Sequence, residues 1–191
     1  PGACYIDMPD DIIQGECELD DIVKVERVPE PPKMITPTEN IEAALDVLEG
    51  AERPLVLVGK GMAWAQAEDE VRAFIDRTQL PFVRSPMGKG VIPDDHPLAA
   101  SAARTLALQQ ADVVFLMGAR FNWIFHFGLP PRFAPDVKVI QLDISPEEIG
   151  HNKPAEVALV GDGKAIMTQM NQALDGRQWF YPKDTPWRTA L

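Results

Sequence analysis

Glycine and charge recur together where apolar runs of the chain stop. Gly59-Lys60-Gly61 follows Pro54 to Val58, Gly118-Ala119-Arg120 follows Val113 to Met117, Asp143 follows Val137 to Leu142, and Gly161-Asp162-Gly163 follows Val157 to Val160. Glycine lets a chain turn tightly and brings its backbone close to a ligand. Lysine and arginine hold phosphate oxygens, and an acid at a strand end accepts ribose hydroxyls. Gathered on one edge of a sheet, Gly59, Lys60, Gly61, Gly118, Arg120 and Asp143 make a candidate nucleotide site. Each alone reads more readily as a turn glycine or a solvated charge; their joint placement at consecutive strand ends reverses that preference. GKG is not a full GxGxxG, because Met62-Ala63-Trp64 follow and the third glycine is missing.

Other residues carry weaker signals. Ser101 and Arg104 fall near the start of an alanine-rich segment whose helical amino end suits an anion, although Arg104 reads equally as part of a solvated helix face. Trp123, Phe125 and Phe127 beside Asn122 could line a pocket, but such spacing more often packs a core. Lys89 and Arg132 could be surface cations. His96, His126 and His151 are far apart and lack an HExxH or triad-like context, so they read as structural or surface groups. Gly161-Asp162-Gly163 has the form that opens a diphosphate-and-metal motif. That motif needs an asparagine a few tens of residues on, whereas the sole asparagine after Gly163 is Asn171, inside a predicted helix. Nothing resembles an activated nucleophile or a paired acid and base; the chain reads as one that binds.

The elements that must position these residues follow from the pattern. Apolar runs without alternation predict strands at 54–58, 81–84, 113–117, 137–142 and 157–160, buried under helices on both faces. Helices are predicted at 37–49, 63–78, 99–110 and 164–174, the first with Pro37 at its first position behind the capping box Thr36-Pro37-Thr38-Glu39. A second capping box, Ser145-Pro146-Glu147-Glu148, predicts a brief helix. Strand and helix alternate, so the expected class is α/β, a Rossmann-like doubly wound parallel sheet with right-handed crossovers. Residues 1–8 read as a strand belonging to a preceding domain. Residues 27–37 read as a proline-stiffened linker, 38–176 as the nucleotide-binding domain, and 177–191, with Trp179, Phe180, Tyr181 and Trp187, as an exit linker docked on a surface. The start of the sequence suggests a piece of a longer polypeptide.

Composition bounds the function classes. The chain has 191 residues, 46% hydrophobic and 25% charged, enough to bury a core. Its net charge of -11 argues against nucleic acid, whose binding demands a basic face. No apolar run reaches the roughly 20 residues that span a bilayer, so no membrane partner is expected. Cys4 and Cys17, with no CxxC, indicate neither a disulfide framework nor a zinc site and suit a reducing, cytoplasmic compartment.

The segments LVGKGMAWAQAEDEV, PMGKGVIPDDHP, SAARTLALQQADVVFLMGARFNWIFHFGLPPRF and VIQLDISPEEI together resemble the central domain of thiamine-diphosphate-dependent 2-hydroxyacyl-CoA lyases, with oxalyl-CoA decarboxylases close behind. The run His126 to Arg132 favours the lyases. The resemblance covers nearly the whole chain and implies a homotetramer that cleaves a 2-hydroxyacyl-CoA to formyl-CoA and an aldehyde or ketone, or runs the condensation. Thiamine diphosphate and Mg2+ would be bound by domains on either side of this one. The opening residues resemble the end of the pyrimidine-binding domain. The tail resembles the linker to the diphosphate-binding domain. By the same resemblance Lys60, Arg120, Asp143 and Asp162 match ADP-binding positions, and the stretch Ser101 to Thr105, including Arg104, matches a segment contacting the CoA moiety of an acyl-CoA substrate. An FAD-binding middle domain like that of acetohydroxyacid synthase is a more distant relation. A free-standing nucleotide-binding module without catalysis is the reading from another class.

Overall fold

The structure, a computed structural model, describes residues 3–191. It divides into two units, Pro1–Pro32 and Lys33–Leu191. In the first, the described residues are all exposed, and regular structure is confined to α1 (Asp10–Ile13) and a 3-10 turn at Leu19–Asp21. The strand expected at 1–8 does not form over residues 3–8. A strand needs a neighbour for its ladder bonds, and here none is supplied. Pro1 and Gly2 lie outside the described residues.

The second unit runs α2 (Thr38–Glu49), β1 (Pro54–Val58), α3 (Lys60–Trp64), α4 (Glu68–Thr78), β2 (Phe82–Arg84), α5 (Arg104–Gln110), β3 (Val113–Met117), β4 (Lys138–Asp143), β5 (Val157–Val160), α6 (Gly163–Leu174) and α7 (Pro186–Ala190). The five strands form one parallel sheet in the order β2-β1-β3-β4-β5. Every residue of β1 and β3 is buried, as expected of a sheet covered on both faces. The apolar core extends from the sheet into the helices through contacts such as the edge-to-face pair Phe74–Phe115, ring centroids 5.9 Å apart. The chain steps outward from β1 to β2 and then returns past β1 to β3. Right-handed crossovers therefore send α4 and α5 to opposite faces, and the sheet order reverses between β1 and β3.

Four local expectations are corrected. The helix expected at 63–78 is two helices, α3 and α4, separated at Gln66, whose φ is 53°. The chain leaves β1 directly into α3, where Gly61 is bonded to the β3 loop, and must then be redirected along the sheet. The capping box at Thr36 does not form: Pro37 is the N-cap and no side chain caps the helix. Thr36 is tied instead to Gln169 of α6, whose amide oxygen accepts from its N–H (3.3 Å) and whose amide nitrogen donates to its carbonyl (2.9 Å). At Ser145 the hydroxyl caps nothing, and the segment Pro146–Glu148 is a single 3-10 turn. The alanine-rich helix begins at Arg104 rather than Ala99, because Ala99 bridges Phe82 and the Ala100 N–H donates to the Phe82 carbonyl at 2.8 Å.

Residues beyond α6 return to the core. Tyr181 and Trp187 are buried, and their side chains donate to the Glu52 carbonyl (2.6 Å) and the Pro54 carbonyl (2.9 Å) at the start of β1. No helix among the described residues is long and apolar enough to cross a membrane.

Candidate functional site

Parallel register decides where the strand-end residues meet. Val58 is level with Arg84 and Met117, Met117 with Leu142, and Asp143 with Val160. Gly59, Gly118, Asp143 and Gly161 consequently emerge along one carboxyl edge, and the reversal between β1 and β3 opens the crevice where ligands of such sheets bind.

At that crevice the glycines serve the contact between two loops. The Gly59 N–H donates to the Met117 carbonyl at 2.8 Å, and the Gly61 N–H donates to the Gly118 carbonyl at 2.9 Å. A Cβ on Gly59 would stand 2.2 Å from the Gly118 carbonyl oxygen, and one on Gly61 would stand 2.7 Å from the Gly118 Cα. Gly118 itself has φ +54°, the left-handed region. With backbone on both sides, no side chain fits at any of the three. The close backbone approach at these glycines is made by the neighbouring loop.

Lys60 is the first residue of α3 and is exposed. Arg120, half-exposed, places its Nε 3.2 Å from Glu148 Oε1. Asp143 is 7% exposed and its Oδ1 accepts from the Ser145 N–H at 2.9 Å. Burial pushes its carboxyl above the ordinary range against that hydrogen bond and the Arg120 charge, which pull it down, while Glu148 adds to the rise. Arg120, Asp143 and Glu148 thus form one charge cluster at the ends of β3 and β4. The spacing of Glu148 in the sequence is that of a capping residue, and only the fold turns it onto Arg120.

Asp162 lies further along the edge and has a local task. Its Oδ1 accepts from the Ala165 N–H at 3.0 Å, capping α6, and its Oδ2 is 3.3 Å from Lys33 Nζ. This carboxylate is the helix cap of its own GDG turn. No group of three or more histidine, cysteine, aspartate or glutamate side chains placed to hold a metal occurs among the described residues.

Ser101, Arg104 and Thr105 sit at the β2 end of the same edge. Ser101 and Thr105 are exposed. Ser101 falls three positions before α5, and Arg104 is the first residue of that helix. Arg104 donates from Nη1 to the Arg84 carbonyl (3.4 Å) and from Nη2 to the Ile124 carbonyl (3.1 Å), with its guanidinium 4.9 Å over the Phe125 ring. Burial lowers its pKa, yet a guanidinium stays charged. Phe125 is buried while Trp123 and Phe127 are exposed, so that aromatic run divides between core and surface. Arg84, which ends β2, was not singled out, although a charge ending a predicted strand is the signal used for the other positions.

Comparison with known proteins agrees with this architecture. The family model described as the thiamine pyrophosphate enzyme central domain matches residues 41–170. Over all of this chain, 2-hydroxyacyl-CoA lyase 1 of Homo sapiens is 46% identical, with 33% of that protein covered. The 2-hydroxyacyl-CoA lyase of Oryza sativa subsp. japonica is 42% identical over all of this chain and 34% of its own length. Oxalyl-CoA decarboxylase of Escherichia coli (strain K12) is 42% identical over the same shares. The chain spans about a third of the length of the curated relatives it matches.

Proposed function

Because this chain belongs to the thiamine pyrophosphate enzyme central-domain family, we propose that it is the nucleotide-binding central domain of a 2-hydroxyacyl-CoA lyase. The whole enzyme would cleave a 2-hydroxyacyl-CoA to formyl-CoA and an aldehyde or ketone, or run the reverse condensation. The observation that carries the reading is the 46% identity to a lyase along the entire chain. The 42% identity to oxalyl-CoA decarboxylase keeps that activity as the second reading.

Thiamine diphosphate, when bound, supplies the electron sink for breaking the carbon–carbon bond. This chain's residues do not fit that cofactor or its Mg2+: the aspartate of the GDG turn is engaged as a helix cap and by Lys33, and the catalytic groups are assigned to flanking domains. Under this proposal residues 1–26 end the pyrimidine-binding domain, 27–37 link it to the central domain at 38–176, and 177–191 lead to the diphosphate-binding domain. The whole is a cytoplasmic homotetramer.

The central domain's own work is recognition. ADP is the ligand assigned to the strand-end cluster under this proposal, with Arg120 and Lys60 as cations for its phosphates and the buried carboxylate of Asp143 as acceptor for its ribose. Gly59, Gly61 and Gly118 keep the two loops close enough to frame it, and Asp162 fixes the last turn of the edge by capping α6. Ser101, Arg104 and Thr105 take the CoA moiety of the acyl-CoA at the β2 end.

The test is to incubate the full-length enzyme, loaded with thiamine diphosphate and Mg2+, with 2-hydroxyacyl-CoA and with oxalyl-CoA separately. Aldehyde and formyl-CoA from the first substrate support the lyase, and carbon dioxide from oxalyl-CoA alone transfers the assignment to the decarboxylase. Absence of both products overturns the enzyme reading and leaves a nucleotide-binding module. Calorimetry of the same protein with ADP and with FAD tests the nucleotide.

A further inference from the structure

Arg84 ends β2 with a side chain only 10% exposed, an unusual degree of burial for a guanidinium at a strand end. It pairs with Asp94, donates to the Ile92 carbonyl at 3.3 Å and reaches Ser101 Oγ at 3.5 Å. Asp94 is also held by Lys89, 3.1 Å away. The Arg84 guanidinium lies 5.9 Å from the Phe82 ring centroid, and its own carbonyl accepts the Arg104 donor. One residue therefore joins three irregular segments: the loop carrying Lys89 and Asp94, the segment around Ser101, and, through Arg104, the turn at Trp123–Gly128.

We propose that Arg84 is a positioning residue for acyl-CoA binding, holding Ser101 and Arg104 at the β2 end of the sheet edge. This deepens the proposed function and rests on its assignment of Ser101 and Arg104 to the CoA moiety. A planar, multi-donor guanidinium can bond an aspartate, a carbonyl and a hydroxyl at once from one fixed plane, which a lysine cannot. Segments ordered before the ligand arrives cost less to immobilise on binding, so the effect falls on affinity rather than on the chemical step. Arg84 need not touch the substrate.

The experiment compares Arg84→Met, Arg84→Lys, Asp94→Asn and Arg104→Ala in the full-length enzyme. It reads KM for acyl-CoA, kcat, calorimetric affinity for free CoA and for ADP, and the melting temperature. Arg84→Met is expected to raise KM and the CoA dissociation constant about tenfold, the scale of one charge-assisted contact, with kcat and ADP affinity unchanged. Arg84→Lys recovers part of the loss. Asp94→Asn, at a half-exposed site that does not threaten folding, shifts the same two quantities in the same direction by a smaller factor. Unchanged KM and CoA affinity in both Arg84→Met and Asp94→Asn, while Arg104→Ala raises them, overturns the positioning role and leaves the CoA assignment standing. Unchanged values in Arg104→Ala overturn both. A parallel loss of CoA affinity, ADP affinity and melting temperature in Asp94→Asn assigns the cluster to general stability and overturns the proposal.

Discussion

Arg120 is held 3.2 Å from Glu148, so an incoming phosphate must compete with a carboxylate for it. Arg120→Ala is expected to weaken ADP binding by about 1.5–3 kcal/mol, the range for a charge-assisted contact. Glu148→Gln, which releases the guanidinium, should leave ADP affinity equal or tighter; calorimetry on the full-length enzyme reads both, and unchanged affinity in Arg120→Ala removes that residue from the site. Asp143 gives a separate check through pH. Its folded-state pKa is raised above the ordinary 3.8 by burial, so the ionised form penalises the fold. The penalty is complete above the raised value and absent below the ordinary one. Stability of Asp143→Asn relative to the native protein should therefore increase as pH rises through that window, seen as diverging urea midpoints; a constant difference removes the burial argument. Both residues were visible in the sequence as charges ending apolar runs. Their link through Glu148 was not, because a residue spaced as a cap gives no sign that it will face a strand end instead.

At the scale of elements, the contact between the β1–α3 turn and the β3 loop is the joint on which the candidate site depends. Gly118→Ala must adopt φ +54° and would place its Cβ 2.8 Å from the Gly61 Cα and from Met62 Cε. The methionine tip can move but the opposing backbone cannot do so cheaply. The expected loss is about 1–3 kcal/mol in urea unfolding, from the left-handed conformation and the crowding together. An unchanged midpoint would show that the loops separate without cost. The strands themselves were legible because continuous apolar runs need no context. The helix starts were less so. Thr36 and Ser145 have the composition of N-caps, but the Gln169 side chain claims the backbone of the first and the Asp143 carboxylate claims the N–H of the second. Caps are decided by hydrogen bonds at one residue, and a competing side chain, distant at Thr36 and two residues away at Ser145, can outbid them.

At the scale of the molecule, the tail after α6 matters most. Arg177 ties this tail to α2 through Glu42, Asp46 and Glu49, and Trp187, 4% exposed, seats its indole against β1. Trp187→Ala is expected to cost about 3–5 kcal/mol in a denaturant titration, the range for deleting a buried tryptophan. A loss below about 1 kcal/mol, the scale of exposed substitutions, would show that the tail adds little to the fold.

The sequence by itself determined the parallel α/β class, the strands, the strand ends that carry charge, and the family resemblance, because burial pattern and turn chemistry are local and repeat. Tertiary structure alone decided that the glycines pack loop against loop, that Glu148 meets Arg120, that Asp162 serves α6, and that Arg84 gathers three loops. Those outcomes depend on register and on which elements become neighbours across the sheet, and a one-dimensional pattern does not contain that information.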